Sequence, residues 1–143
     1  MKKIILAMVL VMVPLMLSAG STDFWFRHFS VEDGLSSSAV RAIMQDKYGF
    51  MWLGTDDGLN RYDGTTIKIY RLNPEGVNDY ISFLYDTTDR IWIGTGDGVY
   101  IYNYETENFE PFKLLTAKGD SIKTNVNHIA EDRDGNLWFS TVG

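Results

Sequence analysis

The sequence predicts an all-β fold assembled from repeated units of four short antiparallel strands. Three observations predict it. A phrase recurs: WLGTDDGLNRYDG starts at Trp52, WIGTGDGVYIYN at Trp92 and WFSTVG at Trp138, at spacings of 40 and 46 residues. Short runs of apolar and alternating residues are separated by turns rich in Gly and Asp. No segment beyond residue 20 sustains a helical period.

The first twenty residues stand apart. Lys2 and Lys3 precede a 14-residue apolar run from Ile4 to Leu17 that contains Pro14, and the small residues Ser18 to Gly20 follow. This is the three-part pattern of a secretory signal peptide, with cleavage expected after Ala19 or Gly20. The run is short for a membrane span, which takes about 20 residues. A signal at residues 1–20 and an exported chain at 21–143 are expected, with periplasmic localisation. The whole chain carries a formal net charge of −6. Without Lys2 and Lys3, 11 basic residues face 19 acidic ones, and the net charge becomes −8. Such a chain is a poor partner for nucleic acid or anionic membranes. There is no cysteine, so disulfides, thiol nucleophiles and thiolate metal sites are excluded.

The segment DFWFRHFS, 23–30, alternates as an aromatic strand ahead of the first repeat. In unit one, AVRAIMQD (39–46) reads as a strand and KYGF as a tight turn. FMWLGT reads as a strand buried on both faces, DDG as the next turn and LNRY as a third strand. Asp63-Gly64 turns again, and TIKIYRL (66–72) alternates like a half-exposed outer strand. The second and third copies share fixed offsets. Asp46, Asp86 and Asp132 lie six residues before each Trp, and Gly49, Asp89 and Gly135 three before. Gly54-Thr55, Gly94-Thr95 and Ser140-Thr141 follow each Trp.

Four-stranded units recurring at roughly 40–50 residues are the mark of a β-propeller. Each blade has two apolar faces and packs between neighbours. The repeated Trp is then a wedge between blades, the Gly-Thr pair ends its strand and lets the backbone turn closely, and the Asp caps the hairpin through backbone amides. The expected blades span about 35–72 and 76–112, with the start of a third at about 122–143: roughly two and a half blades, an incomplete ring.

The stretch EDGLSSSAVRAIMQDKYGFMWLGTDDGLNRYDGTTIKIYR, 32–71, resembles the repeat of the two-component regulator propeller family. NVNHIAEDRDGNLWFST (125–141) fits it too, while DTTDRIWIGTGDGVYIYN lacks the turn glycine at Asp89. The resemblance implies the N-terminal part of a periplasmic sensor of hybrid two-component histidine kinases of the Bacteroides type. It further implies a small ligand of oligosaccharide type, a homodimeric parent anchored in the inner membrane, and downstream domains that carry the output. The chain reads as an N-terminal fragment of such a sensor, itself non-catalytic. The alternative is a fragment of a secreted propeller-scaffold glycan lyase or hydrolase, or of an adhesin.

Candidate chemistry is sparse. No catalytic, cofactor-binding or metal-ligating residue is assigned, no cofactor is expected, and the ligand residues are open. His28 and His128 stand about 100 residues apart in strand-like contexts, unlike a metal pair. Asp132, Asp134 and Asn136 alternate as in a calcium loop, but the glycine is Gly135 rather than the residue after the third ligand, and no glutamate follows at the twelfth position. Asp56-Asp57 reads as a solvated turn rather than an acid/base pair, and the serines at 36–38 as a loop with no base. Tyr100, Tyr102 and Tyr104 share one face of a strand, for blade packing first and sugar stacking second. Propeller ligands sit at loops on one end of the axis, which puts forward residues 32–38 and 73–80.

Overall fold

The computed structural model of the chain describes residues 24–73 and 79–142. The expected signal peptide, and residues 74–78 of the second candidate loop, lie outside the described residues. No helix among the described residues is long and apolar enough to cross a membrane.

The first sheet holds β1 (Val40–Gln45), β2 (Met51–Thr55), β3 (Gly58–Tyr62) and β4 (Ile67–Tyr70) in sequential antiparallel order. The second repeats it with β5 (Ile81–Asp86), β6 (Arg90–Thr95), β7 (Gly98–Asn103) and β8 (Asn108–Phe112). A two-residue pair, β9 (Leu114–Leu115) with β10 (Ser121–Ile122), occupies the connection to the third unit. This small hairpin lies in the longer of the two connections between units. The third unit is the hairpin β11 (Val126–Glu131) with β12 (Leu137–Thr141). The sheets are propeller blades. The first strands β1, β5 and β11 lie beside one another and mark the axis.

Two aromatic seams join the blades. In the first, Trp52 is fully buried with Leu59, Ile81, Ile91 and Ile93. Its ring lies 5.8 Å from Tyr70 in a stack and 5.1 Å from Tyr102 of the next blade. In the second, Trp92 packs with Val99, Val126 and Ile129 and meets Phe139 at 5.8 Å. The tryptophan of the third unit has no blade against it among the described residues: Trp138 is 66 % exposed. The opposite face of blade one is also open, with Ile43 63 % and Ile69 42 % exposed. In blade two the same face, Leu84 and Ile93, is buried against Trp52.

The glycine of the Gly-Thr pair has a different reason from the close turn expected of it. Gly54 and Gly94 lie inside strands. A Cβ on Gly54 would sit 2.5 Å from Ile81 Cγ2, and one on Gly94 would sit 2.9 Å from the Val126 carbonyl oxygen. Both glycines admit the first residue of the next blade's inner strand. The third copy has exposed Ser140 there. The threonines shape the turn. Thr55 Oγ1 donates to the Gly58 carbonyl at 3.0 Å and accepts from the Asp57 amide at 3.1 Å, and Thr95 does the same with Gly98 and Asp97.

The aspartate caps the first hairpin. Asp46 Oδ1 accepts from the amides of Tyr48 and Phe50, while Oδ2 accepts the Trp52 indole N–H at 2.7 Å. Asp132 serves Asp134, Asn136 and Trp138 in the same way. Gly49 and Gly135 take φ of +89° and +82° to close these turns. Copy two has Asp89 there, and its turn is tighter: Thr87 donates its amide to the Arg90 carbonyl. The register moves by one residue, Tyr85 opposing Trp92 where Met44 opposes Trp52. Asp86 is thereby turned away from the indole and accepts instead from the Tyr104 hydroxyl at 2.8 Å.

Residues 24–30 form no strand, because no partner strand flanks them, and Phe24, Trp25 and Phe26 are 76–93 % exposed. The end of this segment lies against the open face of blade one. Phe29 meets Tyr62 edge-on at 4.9 Å, and Arg27 donates to the Tyr62 hydroxyl at 2.8 Å.

Candidate ligand site at the axial end

Three equivalent backbone bonds define one end of the axis. Asp56 N–H donates to the Ala39 carbonyl, Gly96 to Tyr80 and Val142 to Asn125, each at 3.1 Å. The repeat therefore holds the residue before each inner strand against the residue after each Gly-Thr or Ser-Thr pair. Backbone geometry is constant at these positions, and the side chains vary freely. Between them runs an open groove of about 450 Å³ lined by Arg41, Asp56, Tyr80, Gly96 and Asn125.

Its polar groups come from all three blades. Arg41 and Asp56 form a two-pronged pair, Nε to Oδ1 at 2.7 Å and Nη2 to Oδ2 at 2.9 Å. That hydrogen-bonded contact holds the Asp56 carboxyl below its ordinary range and raises the guanidinium further. The Arg41 guanidinium lies 6.0 Å over the Tyr80 ring. Asn125 Oδ1 is buried and has no hydrogen-bond partner among the described residues. A buried acceptor left unpaired is costly, and it favours a ligand that brings a donor. An ion pair with spare lone pairs, an aromatic face and an amide together suit a ring bearing several hydroxyls.

The residues singled out from sequence fall in different places. Of the two candidate loops, 73–80 supplies Tyr80 to the groove. Loop 32–38 instead packs on blade one: Ser36 bonds Thr55 Oγ1 at 2.8 Å and its amide donates to Asn60 Oδ1 at 2.9 Å. Asp56 and Asp57 diverge. Asp57 pairs with Arg71, Oδ2 to Nη2 at 2.9 Å, and it too is held below the ordinary carboxylate range by that bond. Both carboxylates thus stay ionised, the opposite of a general acid. Asp132 has its oxygens taken up by N–H groups of its own turn and of Trp138. His128 packs on Phe83 at 4.3 Å between ring centroids, and His28 lies in the irregular segment ahead of blade one. Tyr102 is buried in the first seam, with Tyr100 and Tyr104 packed against it. Arg41, Gly96 and Asn125 were not singled out from sequence. Gly96 and Val142 hold the place of Asp56, just after the Gly-Thr or Ser-Thr pair, while nothing in the repeat marks Arg41 or Asn125.

The profile of a family described as two component regulator propeller matches residues 34–57 and 121–143. A protein from Formosa agariphila named Histidine kinase P4 is 56 % identical over 59 residues, which are 41 % of this chain and 4 % of that protein. Among solved structures, the chain is similar to the extracellular domain of BT3049 from B. thetaiotaomicron, described as a hybrid two component system. The TM-score is 0.68 with 31 % identity, over 79 % of this chain and 17 % of that one. The extracellular domain of BT4673 from the same organism shares the fold, with a TM-score of 0.66 at 24 % identity over 83 % of this chain and 18 % of that one. The chain thus spans less than a fifth of the relatives it matches. The family model thus covers the hairpins anchored by Trp52 and Trp138, and the chain's blades are similar to those of two-component regulator propellers.

Proposed function

We propose that these blades belong to the extracellular ligand-sensing propeller of a hybrid two-component system, and that an oligosaccharide binds across the axial groove. The blades act by binding, and signalling output resides in domains elsewhere in the full sensor. The observation that carries this reading is the Asn125 Oδ1, a buried acceptor without a partner among the described residues, on a residue that lines the groove with Tyr80 and the Arg41–Asp56 pair. A sugar hydroxyl donates to that oxygen, its neighbours bridge the ion pair, and the apolar face of the ring lies on Tyr80.

Three further points support the reading. The chain resembles a histidine kinase and the extracellular domain of a hybrid system. The open faces at Ile43 and Trp138 are those that further blades of a larger ring would cover. The groove's carboxylate, Asp56, is committed to Arg41, which suits recognition better than the hydrolase or lyase alternative. An extracellular or periplasmic location and a membrane-anchored dimeric parent follow from the same reading.

The test is calorimetric titration of the full chain with a panel of neutral oligosaccharides. Binding is expected, and Tyr80→Ala or Asn125→Ala weakens it at least tenfold with the fold intact by circular dichroism. No binding by any member, or binding that ignores both substitutions, overturns the axial assignment.

A further inference from the structure

A second concave region lies at the other end of the first seam, where the β1–β2 turn meets the β7–β8 turn. It is a groove of about 390 Å³ whose lining includes Asp46, Tyr48, Phe50, Arg61, Tyr104 and Glu107. Arg61 is its unusual member. The side chain is half-buried, and its guanidinium lies 4.6 Å from the centroid of Phe50, 5.7 Å from Trp52 and 5.8 Å from Tyr70. The other paired arginines of the two blades, Arg41, Arg71 and Arg90, each meet an aspartate. Arg61 meets no carboxylate among the described residues.

Neither nearby acid forms an ion pair with it. Asp46 spends both oxygens on the Tyr48 and Phe50 amides and the Trp52 indole. Glu107 sits in the β7–β8 turn, exposed, with a left-handed φ of 53°. The walls are aromatic: Tyr48 meets Tyr104 edge-on at 5.1 Å, and Tyr104 is anchored by its bond to Asp86. A second cation, Lys47 Nζ, lies 4.5 Å over the Tyr104 ring at the same wall. Stacking on rings holds the guanidinium plane while leaving its N–H edge available. A guanidinium prepared in this way, without an internal counter-ion, is suited to a planar oxyanion.

We infer that this groove binds a sugar ring bearing a carboxylate, with Arg61 holding the carboxylate and the Tyr48–Tyr104 pair forming the wall against which the ring lies. The inference rests on the saccharide reading above and extends it to an acidic sugar at a second place, formed between blades one and two.

The experiment is calorimetric titration of the full chain with digalacturonate and with a neutral digalactoside, at 20 and 300 mM NaCl. Digalacturonate is expected to bind more tightly than the neutral disaccharide, and to weaken with salt. Arg61→Gln lowers its affinity at least tenfold and leaves neutral-sugar binding unchanged. Glu107→Gln, away from the ring stack, strengthens digalacturonate severalfold by removing a repelling charge. This second variant keeps the test decisive if Arg61→Gln disturbs the seam. Digalacturonate binding no better than the neutral sugar overturns the inference, as does equal binding by wild type, Arg61→Gln and Glu107→Gln. In both cases a neutral sugar still sensitive to Tyr80→Ala leaves the axial reading standing. Failure of every saccharide removes both.

Discussion

Asp46 Oδ2 accepts the indole N–H of Trp52 at 2.7 Å, inside the seam between blades one and two. A single carboxylate thereby ties the hairpin turn to the wedge that the next blade packs on. Both side chains are buried, Trp52 fully and Asp46 to 5 % exposure. Replacing Asp46 by Ala strands the indole N–H and loosens two turn amides. A loss of about 2–3 kcal/mol in stability is expected, from the desolvation cost of unpaired buried donors. Urea denaturation followed by tryptophan fluorescence reads it. Asp132→Ala removes the same bond from exposed Trp138 and is expected to cost less. Equal losses at the two positions would show that the seam adds nothing to the bond.

Gly54 tests blade spacing rather than backbone freedom. An added methyl meets Ile81 Cγ2 at 2.5 Å and Ile81 Cβ at 2.9 Å, both on the inner strand of the next blade. Overpacking of this kind costs about 1–3 kcal/mol. Gly54→Ala is expected to fall in that range by thermal or chemical unfolding. Ser140→Ala, at the equivalent exposed position of blade three, is expected to be silent. A neutral Gly54→Ala would mean that the blades slide apart without penalty.

The repeat was legible because blade packing demands the same residue at the same height: Trp at each seam, Asp before it, Thr at each turn. What the sequence hid was relational. The reason for glycine at 54 and 94 lies in Ile81 and Val126, residues of the following unit. The missing glycine at Asp89 was visible. Its consequence, a register moved by one residue and Asp86 redirected to Tyr104, depends on which turn a strand pair adopts. The axial groove was half legible, through loop 73–80. Arg41 and Asn125 sit 29 to 55 residues from their groove partners Tyr80 and Gly96, and only the stacking of blades brings them together.

Asp132 should report its hairpin by pH. The Trp138 indole first, then the Asn136 side chain and the turn amides, donate to its carboxylate and lower its pKa from 3.8 to about 2. A depressed folded value means that this contribution is fully present above the ordinary value. It is lost as pH falls from about 4 through about 2. The Trp138 indole N–H resonance is expected to titrate with a midpoint near 2 and to be flat from pH 5 to 8. A midpoint near 3.8, or a resonance unchanged in Asp132→Asn, would show that the bond is not formed in solution.

The two open blade faces are complementary, and this predicts how the chain behaves at high concentration. Within the chain, the Trp52 face of blade one receives Leu84 and Ile93 of blade two. Trp138 lies on the face of blade three equivalent to that of Trp52. Ile43 and Leu53 lie on the face of blade one equivalent to that of Leu84 and Ile93. Trp138 at 66 % and Ile43 at 63 % exposure leave apolar surface uncovered on both faces, beside the part of blade one's face that Phe29 and Ser36 occupy. A contact between them is head-to-tail rather than two-fold, and it propagates instead of closing at a dimer unless the rotation completes a ring. Light scattering coupled to gel filtration is expected to show mass rising with concentration. Trp138→Lys and Ile43→Lys should each suppress the rise, since one open face at a time is enough to stop a head-to-tail chain. Each variant alone still carries one intact face, so an equimolar mixture of the two should form heterodimers and nothing larger. A wild-type chain that stays monomeric throughout would mean that these faces do not recognise one another.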